Sequence, residues 1–169
     1  YVNKTVIIPL LNGMAHYEIL DKEFGKEKIF GGTAYISTAM NNYGSIQQIT
    51  SRASIKFGPR TQKNINIANE FYEICKETEF ECDFSDHIEL DLWRKYVLIG
   101  ATAASTVLFQ KPLGEISATT YGKSLIIEIH EECKKIVLSK GYDIGIEATN
   151  YNLKLITDKG SLLKASMLR

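Results

Sequence analysis

Val6-Ile7-Ile8-Pro9-Leu10-Leu11-Asn12-Gly13 is an apolar run closed by a turn dipeptide. A strand buried on both faces shows a continuous run of apolar residues rather than alternation, so Lys4 to Leu11 reads as a central strand. Asn12-Gly13 then turns the chain into Ala15 to Phe24, a helical stretch that Gly25 is placed to close. The result is a strand, loop and helix unit. A buried strand needs neighbours, which leads to the expectation that the start of this domain lies ahead of Tyr1.

Working outward, Lys28 to Phe57 changes period. Ile29 to Ala39 and Ile46 to Ile55 are rich in Ile, Thr and Tyr, and Asn41-Asn42-Tyr43-Gly44 supplies the turn between them. Two or three antiparallel strands are expected there. Gly58-Pro59 ends the region, and Thr61 to Thr78 carries Ile65, Ile67, Ala68, Phe71, Tyr72 and Cys75 at helical spacing, followed by a short strand around Phe80 to Phe84. Ser85-Asp86 is an N-cap signal, and everything after it is helical in period: Ile88 to Phe109, Leu125 to Leu138, Glu147 to Thr157 and a last start near Ser161, with Pro112-Leu113-Gly114 breaking the first from the second. The expected fold is an α/β Rossmann-type remnant over residues 1–85 followed by an all-α C-terminal domain over 86–169.

Bulk properties narrow the function classes. Lys plus Arg equals Asp plus Glu, 20 of each, so no net field exists to hold nucleic acid or an acidic membrane surface. The longest strongly apolar stretch, Tyr96 to Phe109, is too short to span a bilayer. Three cysteines without CxxC spacing give neither a disulfide framework nor a structural zinc site, and a cytoplasmic setting fits them.

Three stretches resemble the ketopantoate reductase family, and their order and spacing agree over nearly the whole chain. They are Ile8-Pro9-Leu10-Leu11-Asn12-Gly13-Met14, then Leu92-Trp93-Arg94-Lys95 with Pro112-Leu113-Gly114-Glu115, and finally Ser166-Met167-Leu168. The resemblance implies a dinucleotide-binding α/β domain ahead of a helical domain, with NADPH-dependent reduction of a 2-keto acid of the 2-dehydropantoate type, as in pantothenate biosynthesis, in the cleft between them. It also implies truncation at both ends. The fingerprint G-x-G-x-x-G is absent from the sequence, so the fragment by itself is not expected to bind the dinucleotide well, and the family's substrate-binding glutamate would fall beyond Arg169.

Hydride delivery to a ketone leaves negative charge on oxygen, which calls for a proton donor or cation beside it. The resemblance makes Lys95 that general acid, and flanking Trp93, Tyr96, Val97 and Leu98 could partly desolvate its ammonium and lower its pKa. Residue chemistry alone also allows a surface lysine snorkelling off a helix. The resemblance further places Asn12 near the nicotinamide and the substrate, and Ser166 on the substrate carboxylate. Each has a plainer reading, Asn12 as turn chemistry and Ser166 as a helix cap.

One departure from the family bears on specificity. Its best-known members carry asparagines four and eight residues after the lysine, where this chain has Ile99 and Ala103. Losing two such amides weakens a hydroxylated keto acid by about 1 kcal/mol or more each. Thr102 and Thr106, seven and eleven residues after Lys95, fall near the same stripe, and their hydroxyls are candidates to replace the lost polarity, the alternative being back-bonding to helix carbonyls. A paralogous reductase of a less polar ketone and a non-catalytic helical dimerisation module are the rival readings, and a homodimer fits either. His130 and Cys133, one turn apart, lack a second ligand pair, so no metal is expected. Glu128, Glu131 and Glu132 read as a solvated face paired to Lys134 and Lys135. Ser105 and the histidines show no triad spacing.

Overall fold

The computed structural model describes residues 5–168, apart from the side chains of Thr50 and Arg52. The chain divides into two compact units, Tyr1–Leu92 and Trp93–Arg169.

In the first unit, α1 (Ala15–Phe24) ends at Gly25, whose φ of 88° completes the predicted stop. Strands β1 (Gly31–Met40) and β2 (Ile46–Gly58) pair antiparallel, with a register shift between Ile36 and Thr38. Their turn is built by Asn41, whose Oδ1 accepts from the amides of Tyr43 and Ser45 at 2.9 and 3.0 Å. Helix α2 (Ile65–Lys76) then leads to β3 (Glu81–Phe84), which pairs parallel to β2, so β2-α2-β3 is a crossover unit. The sheet order is β1-β2-β3.

The opening apolar run departs from its reading as a continuous buried strand. Ile7 makes one isolated parallel bridge with Ile29, through Ile7 N to the Lys28 carbonyl at 2.8 Å and Phe30 N to the Ile7 carbonyl at 2.9 Å. The next rung of a parallel ladder would need an N–H from residue 9, and Pro9 has none. Pro9 is buried, whereas Leu10 and Leu11 are exposed. Lys4, the proposed start of that strand, lies outside the described residues.

Two apolar clusters form the core of this unit. Tyr17, Ile29, Ile88 and Leu92 make one, and Phe30, Phe57 and Ala68 make the other, with Phe71 and Phe84 edge-on to Phe57. Arg60, just beyond β2, has a side chain only 7% exposed and is paired on every side. Its terminal nitrogens donate to both Asp21 oxygens at 2.6 and 2.9 Å, its Nε donates to Glu89 at 3.1 Å, and its guanidinium lies 4.5 Å from the Tyr17 ring centroid.

The second unit is all helical. Helix α3 (Ile88–Phe109) starts in the first unit and carries on into it, followed by α4 (Leu113–Ser117), α5 (Gly122–Ser139) and α6 (Gly145–Ile156). The Pro112-Leu113-Gly114 break therefore opens a short helix of its own. No regular helix starts near Ser161; a 3-10 turn follows at Ser166–Leu168. The core gathers Ala101, Leu113, Ile116, Ile126 and Ile156 in one cluster and Val97, Val137 and Ile144 in another. Among the described residues no helix is long and apolar enough to cross a membrane.

His130 of α5 is fully buried, its Nε2 3.5 Å from the Asn152 amide nitrogen and its Nδ1 3.5 Å from a Glu131 oxygen but without hydrogen-bond geometry. Burial dominates and lowers its pKa below the ordinary 6.5. The folded state therefore refuses a proton that the unfolded chain accepts, so stability declines as pH falls below about 6.5. Burial and the Arg60 charge lower His16 as well, in the same direction. The expected outcome is that urea midpoints fall between about pH 6.5 and 5, with a shallower fall in His130→Gln; an unchanged slope in that variant would refute the assignment.

Candidate active site

Lys95 sits two turns into α3, and its neighbours fix the helix face it occupies. Trp93 and Tyr96 pack edge to face with ring centroids 5.4 Å apart beside the Val97, Val137 and Ile144 cluster, with Tyr142 5.9 Å from Trp93. Arg94 donates from Nε to the Ile144 carbonyl at 3.2 Å. Lys95 itself is half-buried, and that burial lowers its amine to about 8. The direction follows from physical chemistry, because removing water penalises the charged form of an amine. At neutral pH the group is mostly an ammonium, within reach of losing its proton, which is the state a general acid needs.

Asn12 belongs to the first unit and is exposed on the loop between the Ile7 bridge and α1. The loop's approach to the sheet depends on Gly32: a Cβ there would stand 2.6 Å from Ile8 Cγ2 and 3.0 Å from the Pro9 carbonyl oxygen. The Gly32 amide in turn donates to the Tyr17 hydroxyl at 3.1 Å, tying α1 to β1.

The two threonines differ. Thr102 is half-buried and its hydroxyl donates to the Leu98 carbonyl at 2.8 Å, the back-bonding alternative, which leaves it acceptor lone pairs only. Thr106 is fully buried; it donates to the Thr102 carbonyl at 2.8 Å and accepts from the Ala165 amide at 3.1 Å. A hydroxyl so enclosed and doubly bonded does not face a substrate, which corrects the expectation that Thr106 supplies polarity to the site. Ile99 and Ala103 are half-buried on the same helix.

Ser166 opens the 3-10 turn and is exposed. The chain leading to it is held by α4, whose first-turn amides have no partners within the helix. Leu113 N donates to the Leu163 carbonyl and Gly114 N to the Ser161 carbonyl, both at 3.0 Å. Gly114 admits this contact because a Cβ would lie 2.6 Å from the Lys159 and Ser161 carbonyl oxygens. Besides breaking the helical run, Pro112-Leu113-Gly114 thus seats the segment ahead of Ser166. A glycine in the second position of a helix, where alanine would otherwise be favoured, was the available signal. Thr106 lies three turns beyond Lys95 on α3, and Ser166 follows the Ala165 amide that Thr106 holds.

Other candidates have structural settings. Cys133 packs beside the Ala101 and Val97 clusters, Glu131 pairs with Lys134 at 3.1 Å, and among the described residues no group of three His, Cys, Asp or Glu could hold a metal. Ser105 is fully buried with no hydrogen-bond partner for its hydroxyl, on α3.

A mixed sheet with crossover helices followed by an all-helical unit is the Rossmann-plus-helical architecture of two-domain oxidoreductases. Two profiles of the ketopantoate reductase PanE/ApbA family match, the first over residues 1–62 and its C-terminal counterpart over residues 87–169, and the chain belongs to that family. It is 33% identical over 166 residues to the uncharacterized oxidoreductase YkpB of Bacillus subtilis (strain 168), covering 98% of this chain and 55% of that protein. Two solved structures share the fold: D-mandelate dehydrogenase with NADH, at TM-score 0.83 and 18% identity over 98% of this chain and 56% of that one, and 2-dehydropantoate 2-reductase of Porphyromonas gingivalis W83, at TM-score 0.81 and 21% identity over 92% and 53%. The chain spans about half the length of the curated relatives it matches.

Gly114→Ala is expected to destabilise the helical unit by about 2 kcal/mol, because the added methyl meets backbone that must shift. A denaturant midpoint equal to that of the native chain would show that the contact yields without cost.

Proposed function

We propose that the full-length protein reduces a small 2-keto acid to its 2-hydroxy acid with NADPH, and that Lys95 is the general acid. The observation that carries this reading is the half-buried lysine with its amine lowered to about 8, on the family's Leu92-Trp93-Arg94-Lys95 helix. Asn12, exposed on its loop, would hold the nicotinamide end of such a cofactor. The described residues contain no glycine-rich pyrophosphate loop. The reduced nicotinamide, when bound, supplies a hydride to the carbonyl carbon. Lys95 first steadies the carbonyl oxygen by charge and hydrogen bonding, then gives its proton from Nζ as that oxygen gains the electron pair of the broken π bond. Ser166 holds the substrate at its carboxylate, and Thr102 offers an acceptor only.

Ile99 and Ala103 favour a variant of this reading in which the keto acid carries an apolar rather than a hydroxylated side chain. A substrate hydroxyl facing these two residues would find no side-chain partner and lose about 1 kcal/mol per missing bond. The solved fold neighbour D-mandelate dehydrogenase also acts, by its name, on a 2-hydroxy acid with an aromatic substituent.

Turnover of NADPH and NADH by the full-length protein over a panel of 2-keto acids, with 2-dehydropantoate and an aryl keto acid at its extremes, tests substrate class. The aryl or alkyl acids are expected to have the higher kcat/KM; preference for 2-dehydropantoate would refute the apolar variant, and no turnover on any member would refute the reductase reading.

Lys95→Ala should lower kcat about 100-fold or more. Because the acid must be protonated, native kcat/KM for reduction is expected to fall as pH rises through about 8, and a pH-independent rate across that range would remove Lys95 from its role.

A further inference from the structure

We propose that Thr106 is a positioning residue for the substrate-carboxylate serine: its hydroxyl pins the Ala165 amide, and with the Leu113 and Gly114 amides it sets where Ser166 stands. The inference rests on the reading of Ser166 as a substrate contact.

Ser161, Leu163 and Ala165 each have a backbone group bonded to a fixed element of the helical unit, at 3.0, 3.0 and 3.1 Å. Two of the donors are the orphan amides of α4, which any helix presents. The third bond is of a different kind, since it depends on one side chain. Thr106 is fully buried, and its hydroxyl proton is committed to the Thr102 carbonyl at 2.8 Å, which orients a lone pair at Ala165 N. Ala165 is itself 8% exposed, so water is a poor substitute for the lost acceptor. Ser166, the next residue, is exposed. A buried hydroxyl thus ends one residue short of an exposed one, and the path between them is a single peptide unit. Removing the hydroxyl leaves Ala165 N unsatisfied and frees the turn at Ser166 to move, which weakens carboxylate binding without touching the proton donor.

The test is steady-state kinetics of the full-length protein with a 2-keto acid that it reduces, in Thr106→Val, Thr106→Ser and Ser166→Ala, together with hydrogen exchange at the Ala165 amide. Thr106→Val keeps the shape and removes the hydroxyl. It should speed exchange at Ala165 and raise KM about tenfold, with kcat changed less than about twofold. Thr106→Ser should restore both. In the Ser166→Ala background, Thr106→Val should add little, because the residue it positions is gone. An unchanged KM in Thr106→Val despite fast exchange, with Ser166→Ala impaired, overturns the proposal while leaving the serine in the site. Additive effects of the two substitutions overturn it too, since they mark a general loss of structure. An unimpaired Ser166→Ala overturns both readings at once. If Thr106→Val does not fold, Thr106→Ala, which cannot clash, is put through the same comparison.

Discussion

Buried backbone donors and acceptors must find partners even where the chain is irregular, and that constraint shapes the helical unit. The stretch from Ser161 to Ala165 begins and ends on buried residues and contains no regular structure. Three of its bonds go to the open end of α4 and to a threonine in the last turn of α3. The Pro112-Leu113-Gly114 turn follows from this: proline sits at the N-cap, where no N–H is needed, and glycine where a side chain would strike the carbonyls of Lys159 and Ser161.

Helix α3 carries several tasks on different residues. Val97 and Ala101 face the cores, Trp93 and Arg94 fix its rotation, and Lys95 keeps an ammonium half out of water. A lysine is suited to that last task because its amine titrates within reach of neutral pH when burial removes part of its hydration, which the guanidinium of an arginine does not do.

Much of the fold could be read from residue period and turn chemistry. Ala15 to Phe24 with its glycine stop, the hairpin around Asn41-Asn42-Tyr43-Gly44 and the three long helices after Ser85 all rest on local signals and stand close to their reading, while the short α4 went unread and the start near Ser161 is no helix. The opening run did not, because an apolar pattern reports burial while the pairing depends on an amide that Pro9 lacks. The parallel direction of β3 was equally hidden, being a matter of how α2 returns the chain. At the candidate site, the lowered amine of Lys95 was foreseeable from its apolar flanks. The role of Thr106 was not, since helical spacing shows which face a hydroxyl shares and says nothing of a backbone amide fifty-nine positions away.

The arginine at the end of β2 has a consequence for behaviour in salt. Mobile ions weaken attractions between charges that water surrounds, and do little to a pair from which water is largely shut out. The pairs Lys76 with Glu73 and Lys111 with Glu115 are open to solvent and belong to the first kind, while Arg60 gripping Asp21 and Glu89 belongs to the second. Brine should therefore loosen the outer ion pairs of the helices and leave the anchorage of α1, and with it the loop bearing Asn12, nearly as it was.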